Sequence, residues 1–195
     1  MKYRSKKYRA ILETARLLFW KYGFKKVTVE EVCEKAGVSK MTFYRYFSNK
    51  TDLAMAVYEQ VVDEGIQKFR KILHDENTGA LEKIEQILLV KSEGTHDISK
   101  EFLEDFYANP GLGLSAFIDE KNRKVWNEIV KDFRLAQKKG WFRKDFKPEA
   151  MFLMVNKLSE LINERQMLHL YGNPQDLIME LARFFTYGIM PVKDH

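Results

Sequence analysis

The segment from Thr28 to Asp52 constrains the fold most, because it encodes two short helices around a tight turn: TVEEVCEKAGVSKMTFYRYFSNKTD. Thr28 and Glu31 have the spacing of a capping box, which satisfies free backbone N–H groups at a helix start. Gly37 can adopt the positive φ that ends the first helix, and Ser39 is a preferred N-cap for the next one. The segment therefore predicts a helix, a turn and a second helix.

The second of these helices, predicted over residues 40–47, has two chemically different faces. Phe43 and Phe47 lie four residues apart, so they share a face that we expect to be buried. The opposite face is cationic and rich in hydroxyl groups, contains no acidic residue, and consists of Lys40, Met41, Thr42, Tyr44, Arg45 and Tyr46. Such a surface favours a phosphate-lined groove, where Lys and Arg neutralise phosphates and hydroxyls form hydrogen bonds with them.

The charge distribution supports the same interpretation. Residues 1–53 contain 13 Lys and Arg against 5 Asp and Glu, a net charge of +8, whereas residues 54–195 carry −3. Basic charge concentrated in one small segment is typical of a nucleic-acid-binding domain. A basic amphipathic helix on a membrane surface is the alternative, but it would not need the turn at Gly37 or the caps.

Several side chains of this segment are candidates for DNA contacts. Lys40 and Arg45 have donors for guanine in the major groove, and Thr42 or Met41 can contact a thymine methyl group. Lys50 opens the following helix, where free N–H groups are suited to bind an anion such as phosphate.

The segment closely resembles the DNA-binding signature of the TetR/AcrR family of bacterial regulators. The resemblance is strong over residues 8–55 and weak beyond them. It is carried by Phe19, Tyr22-Gly23-Phe24, Thr28, Val32, Ala36-Gly37-Val38-Ser39, Thr42-Phe43-Tyr44, Tyr46-Phe47, Asn49-Lys50 and Leu53.

The resemblance implies roles for individual residues. It implies that the DNA backbone is held by Thr42, Tyr44, Tyr46 and Lys50, and that Lys40, Met41 and Arg45 lie nearer the bases. Met41 stands where the family often has a small residue, so we expect local groove contacts to differ from those of relatives. With the capping residues, the predicted DNA-binding set is Thr28, Ser39, Lys40, Met41, Thr42, Tyr44, Arg45, Tyr46 and Lys50.

The remaining sequence predicts an all-α protein of about nine helices, because apolar residues recur at helical spacing and no strand pattern occurs. We divide it into a helix-turn-helix domain over residues 1–53 and a ligand-binding and dimerisation domain over residues 54–195. A helix over residues 50–73 outgrows the first domain and is the expected link between them. Ser92-Glu93-Gly94-Thr95 is expected to form a loop.

The second domain offers two apolar surfaces. Large side chains between residues 80 and 145 exceed what short helices normally bury, so they predict either a ligand pocket or plain core; the pocket candidates are Phe102, Phe106, Tyr107, Phe117, Trp126 and Phe133. The helix predicted over residues 149–171 is apolar on more than one face, which favours a second partner; a monomer core is the alternative. The resemblance implies a four-helix dimer interface formed by the last two helices, for which the candidates are Phe152, Val155, Leu158, Ile162, Leu177, Leu181, Phe184 and Phe185.

The sequence contains no motif that would indicate an enzyme or a metal-binding protein. It contains no HExxH, CxxC, GxSxG or glycine-rich phosphate loop, and its four histidines are far apart. We therefore expect no catalytic residues, no metal and no cofactor. A single cysteine, Cys33, and the absence of a long apolar run are consistent with a cytoplasmic protein.

These patterns predict a homodimeric, ligand-responsive transcriptional regulator. We expect a repressor that an apolar or aromatic effector releases from a pseudo-palindromic operator in double-stranded DNA. The alternative is a DNA-organising or DNA-tethered interaction protein without an effector, with the same helix-turn-helix but weak sequence dependence.

Overall fold

A computed structural model describes residues 5–107, 113–161 and 165–191. Within these ranges the regular structure is entirely helical, which confirms the predicted all-α class. The helices are α1 (Lys6–Tyr22), α2 (Val29–Lys35), α3 (Lys40–Tyr46), α4 (Lys50–His74), α5 (Ala80–Gly94), α6 (Lys100–Tyr107), α7 (Ser115–Lys138), α8 (Pro148–Leu161), α9 (Arg165–Leu170) and α10 (Pro174–Gly188).

The helix boundaries follow the sequence signals closely, with one clear exception. The loop expected at residues 92–95 is wrong for its first three residues, because α5 continues to Gly94. The amide of Thr95 still donates to the carbonyls of Lys91 and Ser92, so helical hydrogen bonding persists to the last turn. The helix predicted over residues 149–171 corresponds to α8 and α9, between which residues 162–164 lie outside the described ranges.

The chain forms two compact units that do not follow simple sequence order. The first comprises the residues up to Val62 together with Asp97–Glu120, and the second comprises Asp63–His96 together with the residues from Lys121 onward. The division of the chain into domains at residue 53 stays a prediction.

In the first unit, α6 packs against α1 and completes the core of the helix-turn-helix. The ring centroids of Trp20 and Phe102 lie 4.4 Å apart, and those of Phe102 and Phe106 lie 4.3 Å apart. The amide of Ser99 also donates to the carbonyl of Trp20 at 2.9 Å. A helix far along the chain therefore stabilises the N-terminal helices through aromatic contacts.

In the second unit, α5 and α10 pack together, and α7 and α8 contribute to the same core. Gln175 at the start of α10 donates its side-chain amide to the carbonyl of Ser92 at 3.0 Å. The buried core residues of this unit are Leu73, Ile84, Leu88, Phe133, Ala136, Phe142, Met151, Met179 and Ile189.

A fully buried lysine, Lys83, caps the C-terminal end of α4. Its ammonium donates to the carbonyl of Ile72 and the hydroxyl of Thr78, both at 2.9 Å, and to the carbonyl of Asp75. The same ammonium lies 4.2 Å from the ring centroid of Trp141. Desolvation lowers the pKa of Lys83, and these acceptors offset that cost by replacing water around the charge.

Replacing Lys83 with methionine should destabilise the protein by about 2–4 kcal/mol, because buried carbonyls at the end of α4 would lose their donor. Chemical denaturation of both proteins measures this change. Lys71→Met is the matched control, since Lys71 is exposed on α4 and should change stability by less than about 0.5 kcal/mol. Equal effects of the two substitutions would contradict the capping role.

Candidate nucleic-acid interface and ligand cavity

The turn between α2 and α3 is built by the residues that the sequence singled out. The hydroxyl of Thr28 accepts from the amide of Glu31 at 3.1 Å, and the hydroxyl of Ser39 accepts from the amide of Thr42 at 3.2 Å. Gly37 adopts a φ of +63°, in the left-handed region that favours glycine. Both helix starts and the reversal between them are therefore fixed locally.

α3 buries one face and exposes the other. Phe43 and Phe47 are 0% and 3% exposed, and their ring centroids lie 5.6 Å apart. Met41 and Tyr44 on the opposite face are 77% and 57% exposed. Arg45 is also exposed and has no ion-pair partner among the residues that the structure describes. The outer face thus remains available for a partner.

An acid from the neighbouring helix partly neutralises this face. The ammonium of Lys40 donates to a carboxylate oxygen of Glu30 at the start of α2. This hydrogen bond lowers the pKa of Glu30 and raises the pKa of Lys40. Because both side chains are more than half exposed, the ion pair is weak, and Lys40 can exchange Glu30 for a phosphate or a base.

Two polar residues of α3 have partners inside the protein. The hydroxyl of Tyr46 lies 2.7 Å from that of Ser5, which caps α1 and accepts from the amide of Tyr8 at 3.0 Å. The hydroxyls of Ser39 and Thr42 lie 3.0 Å apart. Their roles in DNA binding stay predictions, while these contacts show that Tyr46 also joins α3 to the start of α1.

Lys50 holds the loop between α1 and α2. Its ammonium donates to the carbonyls of Phe24 and Val27 at 2.8 Å and of Lys25 at 3.3 Å. It also lies 4.4 Å from the ring centroid of Phe24. Desolvation lowers the pKa of Lys50. The unusual lysine at a helix N-terminus is therefore explained by carbonyl groups of the preceding loop.

The N-terminus of α4 is capped by its own residues. The amide of Ser48 donates to the carboxylate of Asp52 at 3.1 Å, and the amide of Asp52 donates to the side-chain oxygen of Asn49 at 2.8 Å. The predicted phosphate contact at this helix start must therefore form beside the Asp52 carboxylate.

Asp105 of α6 fixes the same loop from the other side. Its carboxylate accepts from the amide of Lys25 at 2.8 Å and lies 3.2 Å from the ammonium of that residue. Gly23 has a φ of +79°, and a Cβ atom there would lie 2.9 Å from the Asp105 carboxylate. Glycine is required at this position both for its conformation and for the close approach of α6.

The second unit contains a cavity of about 270 Å³, more than ten times what one water molecule occupies by this measure. It is lined mainly by aliphatic and aromatic side chains. The lining residues are Phe69, Ile87, Leu88, Lys91, Trp126, Ile129, Phe133, Phe142, Val155, Ile178, Leu181, Ala182, Phe185, Thr186 and Ile189. A cavity of this composition is suited to a small apolar molecule.

Two of the pocket candidates line this cavity and three lie elsewhere. Trp126 and Phe133 are lining residues, and their rings are nearly parallel with centroids 6.4 Å apart. Phe102 and Phe106 are instead buried against α1 in the first unit, and Phe117 lies 6.4 Å from the ring of Tyr58. The side chain of Tyr107 lies outside the described part of the chain.

The dimer candidates also divide into groups. Val155, Leu181 and Phe185 line the cavity, while Leu177 is fully buried. Phe152 is half-buried beside Trp126, with centroids 5.7 Å apart. Phe184 is 76% exposed, and the Leu158 side chain and Ile162 lie outside the described residues.

Further exposed apolar side chains accompany Phe184. Leu153 and Met154 on α8 are 67% and 56% exposed, and Tyr187 on α10 is 47% exposed. Both α8 and α10 therefore carry large apolar side chains that this chain leaves exposed.

Sequence reasoning singled out neither Lys83 nor Lys91. The DNA contact of Lys50 stays a prediction, and its contacts with the loop carbonyls were not foreseen. The available signal for Lys83 was its position directly before Ile84, where a charge interrupts the buried stripe of α5; Lys91 lies three residues after the buried Leu88. No group of three or more metal-ligating side chains occurs in the described ranges, and no helix there is long and apolar enough to cross a membrane.

Comparisons with known proteins agree with this geometry. Residues 11–57 match the family model described as bacterial regulatory proteins, tetR family. The HTH-type transcriptional regulator YfiR of Bacillus subtilis (strain 168) is 30% identical over 166 residues, which span 83% of this chain and 78% of that protein. YvaF, a regulator of the same organism, is 34% identical over 116 residues, which span 58% of this chain but only 60% of YvaF.

Solved structures show the same fold. The fatty acid degradation regulator FadR from Bacillus halodurans superposes with a TM-score of 0.70 at 18% identity, covering 95% of this chain and 97% of that one. FadR from Bacillus subtilis, solved in complex with stearoyl-CoA, gives a TM-score of 0.66 at 18% identity, covering 93% and 99%.

The capped helix-turn-helix with its cationic outer face defines a DNA-binding transcriptional regulator. By its match to YfiR and to the family model, the chain belongs to the tetR family of bacterial regulatory proteins.

Replacing Glu30 with glutamine should increase DNA affinity about two- to fivefold at low salt. The reason is that Lys40 would no longer have to break its ion pair with Glu30 before it contacts DNA. Fluorescence anisotropy with a labelled duplex measures the affinity. Glu34→Gln removes the same charge from α2 without freeing Lys40 and should have a smaller effect. If both variants gained equally, net charge alone would explain the result; at high salt the difference should disappear.

Replacing Lys50 with methionine should lower the melting temperature while leaving the salt dependence of DNA binding unchanged, because its ammonium is engaged by loop carbonyls. Titrations across salt concentrations measure this dependence. Loss of a phosphate contact would reduce the slope of log K against log salt by about 0.9. Arg45→Met is the control expected to show that reduction, and the same reduction in Lys50→Met would overturn the loop assignment.

Proposed function

We propose that this protein is a homodimeric repressor that binds a pseudo-palindromic operator and leaves it when a small apolar effector occupies the cavity of the second unit. The observation that carries the DNA-binding part is the exposed outer face of α3. Phe43 and Phe47 anchor that helix, while Lys40, Met41, Tyr44 and Arg45 point away from the core.

The proposed DNA contacts follow from the polar groups that the exposed side chains of α3 can offer to DNA. Arg45 has no partner among the described residues and can donate to guanine acceptors. Lys40 becomes available once Glu30 is displaced. Tyr44 is exposed, and its hydroxyl is suited to a phosphate oxygen. In this proposal Lys50 supports DNA binding indirectly, because it holds the loop between α1 and α2.

A homodimer is required because one α3 reads only a short stretch of DNA. Two helix-turn-helix units of a dimer occupy half-sites about 34 Å apart, one helical turn of DNA. The exposed apolar residues of α8 and α10, including Leu153, Met154 and Phe184, supply a surface that a second copy would bury.

The effector part of the proposal rests on the cavity. Its size and apolar lining are those of a small-molecule site, and a protein of similar fold was solved with stearoyl-CoA. α4 contributes residues to both units, so a ligand that favours another arrangement of its second half would shift the population away from the DNA-competent state.

The first test uses fluorescence anisotropy to measure the affinity of the protein for two labelled duplexes of equal length. One comes from the upstream region of the gene and the other has a random sequence. The double variant Lys40→Ala/Arg45→Ala should bind the specific duplex at least about 30-fold more weakly, since each such contact contributes about 1–3 kcal/mol. The control Lys131→Ala/Lys138→Ala removes the same charge from exposed sites on α7 and should change affinity little.

The ratio of specific to random affinity separates the two candidate functions. A regulator should prefer its operator by about 10³ or more. Equal binding to both duplexes would instead favour a DNA-organising protein. Retention of full operator affinity by the Lys40/Arg45 double variant would overturn the proposed interface.

A further inference from the structure

Lys91 on α5 is the one charged side chain among the described residues that line the cavity. It lies one helical turn after Ile87 and Leu88, which line the same cavity. The other polar lining residue, Thr186, donates its hydroxyl to the carbonyl of Ala182 within α10. Lys91 is therefore the group that gives this apolar cavity a chemical preference.

The ammonium of Lys91 has no hydrogen-bond or ion-pair partner among the described residues. Lys83 on the same helix is different, because its ammonium donates to three oxygen acceptors. The side chain of Lys91 is exposed and is one of those that line the cavity, yet surrounding protein atoms desolvate its ammonium and lower its pKa. These observations are satisfied when the exposed surface of the side chain faces the cavity rather than bulk solvent.

A desolvated ammonium beside an apolar cavity lacks the negative charge that would stabilise it. Desolvation without a counter-charge destabilises the cation. An incoming carboxylate would supply the missing charge and accept hydrogen bonds from the ammonium. The parallel rings of Trp126 and Phe133 and the aliphatic side chains around them would cover an apolar tail.

We propose that the effector is an apolar molecule with one carboxylate, held by its tail in the cavity and by its carboxylate on Lys91. This inference rests on the proposed function, of which it specifies the ligand class. It excludes cationic effectors, since they would bring a like charge to Lys91, and it ranks neutral molecules of the same shape below carboxylates.

Calorimetric titration of the purified protein in the absence of DNA tests the proposal directly. The probes are hexanoate, decanoate and tetradecanoate, each compared with the alcohol and the primary amine of equal chain length. At least one carboxylate should bind about tenfold or more tightly than its alcohol, and the amine should bind most weakly. Failure of every carboxylate to bind, or equal affinities for acid and alcohol, would overturn the proposal.

Substitutions at Lys91 assign the preference to this residue. Lys91→Met should remove the advantage of the carboxylate and leave the alcohol affinity nearly unchanged, whereas Lys91→Arg should retain most of the advantage. Lys91→Met should also raise the melting temperature of the ligand-free protein, because an unpaired desolvated charge is removed. The control Lys131→Met makes the same change at an exposed site on α7 and should alter neither property.

The outcomes distinguish this inference from the proposed function. Carboxylate binding that depends on Lys91 but does not release operator DNA would support the site and contradict ligand-controlled regulation. Failure to bind any operator would contradict the proposed function while leaving the calorimetric result intact. A preference for carboxylates that persists in Lys91→Met would assign the preference to another residue and overturn the inference.

Discussion

The DNA-binding unit depends on packing, because α2 and α3 contain only seven residues each and helices of that length are not stable alone. Phe43 and Phe47 fasten α3 to the core, and the stacked contact between Tyr8 and Phe47 joins α1 to that cluster. The exposed side chains Lys40, Met41 and Arg45 take no part in this packing, whereas Tyr46 also joins α3 to the start of α1. That separation leaves the outer face of α3 free to vary with the operator while the unit remains folded.

Desolvated lysines organise both ends of α4. At its start, Lys50 donates to three carbonyls of the loop between α1 and α2. At its end, Lys83 from α5 donates to the carbonyls of Ile72 and Asp75. A flexible cationic side chain is suited to this task, since one ammonium can satisfy three acceptors at once. The helix that runs through both units is therefore fixed at each end by directional bonds.

A comparison of residues in the two units shows why large apolar side chains are difficult to assign from sequence. Phe102 and Phe106 have the helical spacing and size of residues expected around a ligand, yet they pack against Trp20 and Phe19 of α1. Trp126 and Phe133 are also large aromatic residues at helical spacing, yet they line the cavity. Helical periodicity states which face is buried but not what it is buried against, so core and pocket give the same pattern.

The sequence by itself determined the all-α class, the capped turn from Thr28 to Ser39, the two faces of α3 and the resemblance to its family. These features depend on neighbours within a few residues, where capping geometry and helical periodicity act directly. The tertiary structure alone decided the association of α6 with α1, the loop contacts of Lys50, the burial of Lys83 and the position of Lys91 in the cavity. Each of these depends on contacts between distant segments, and a lysine looks the same in the sequence whether its side chain contacts solvent, carbonyl groups or an apolar cavity.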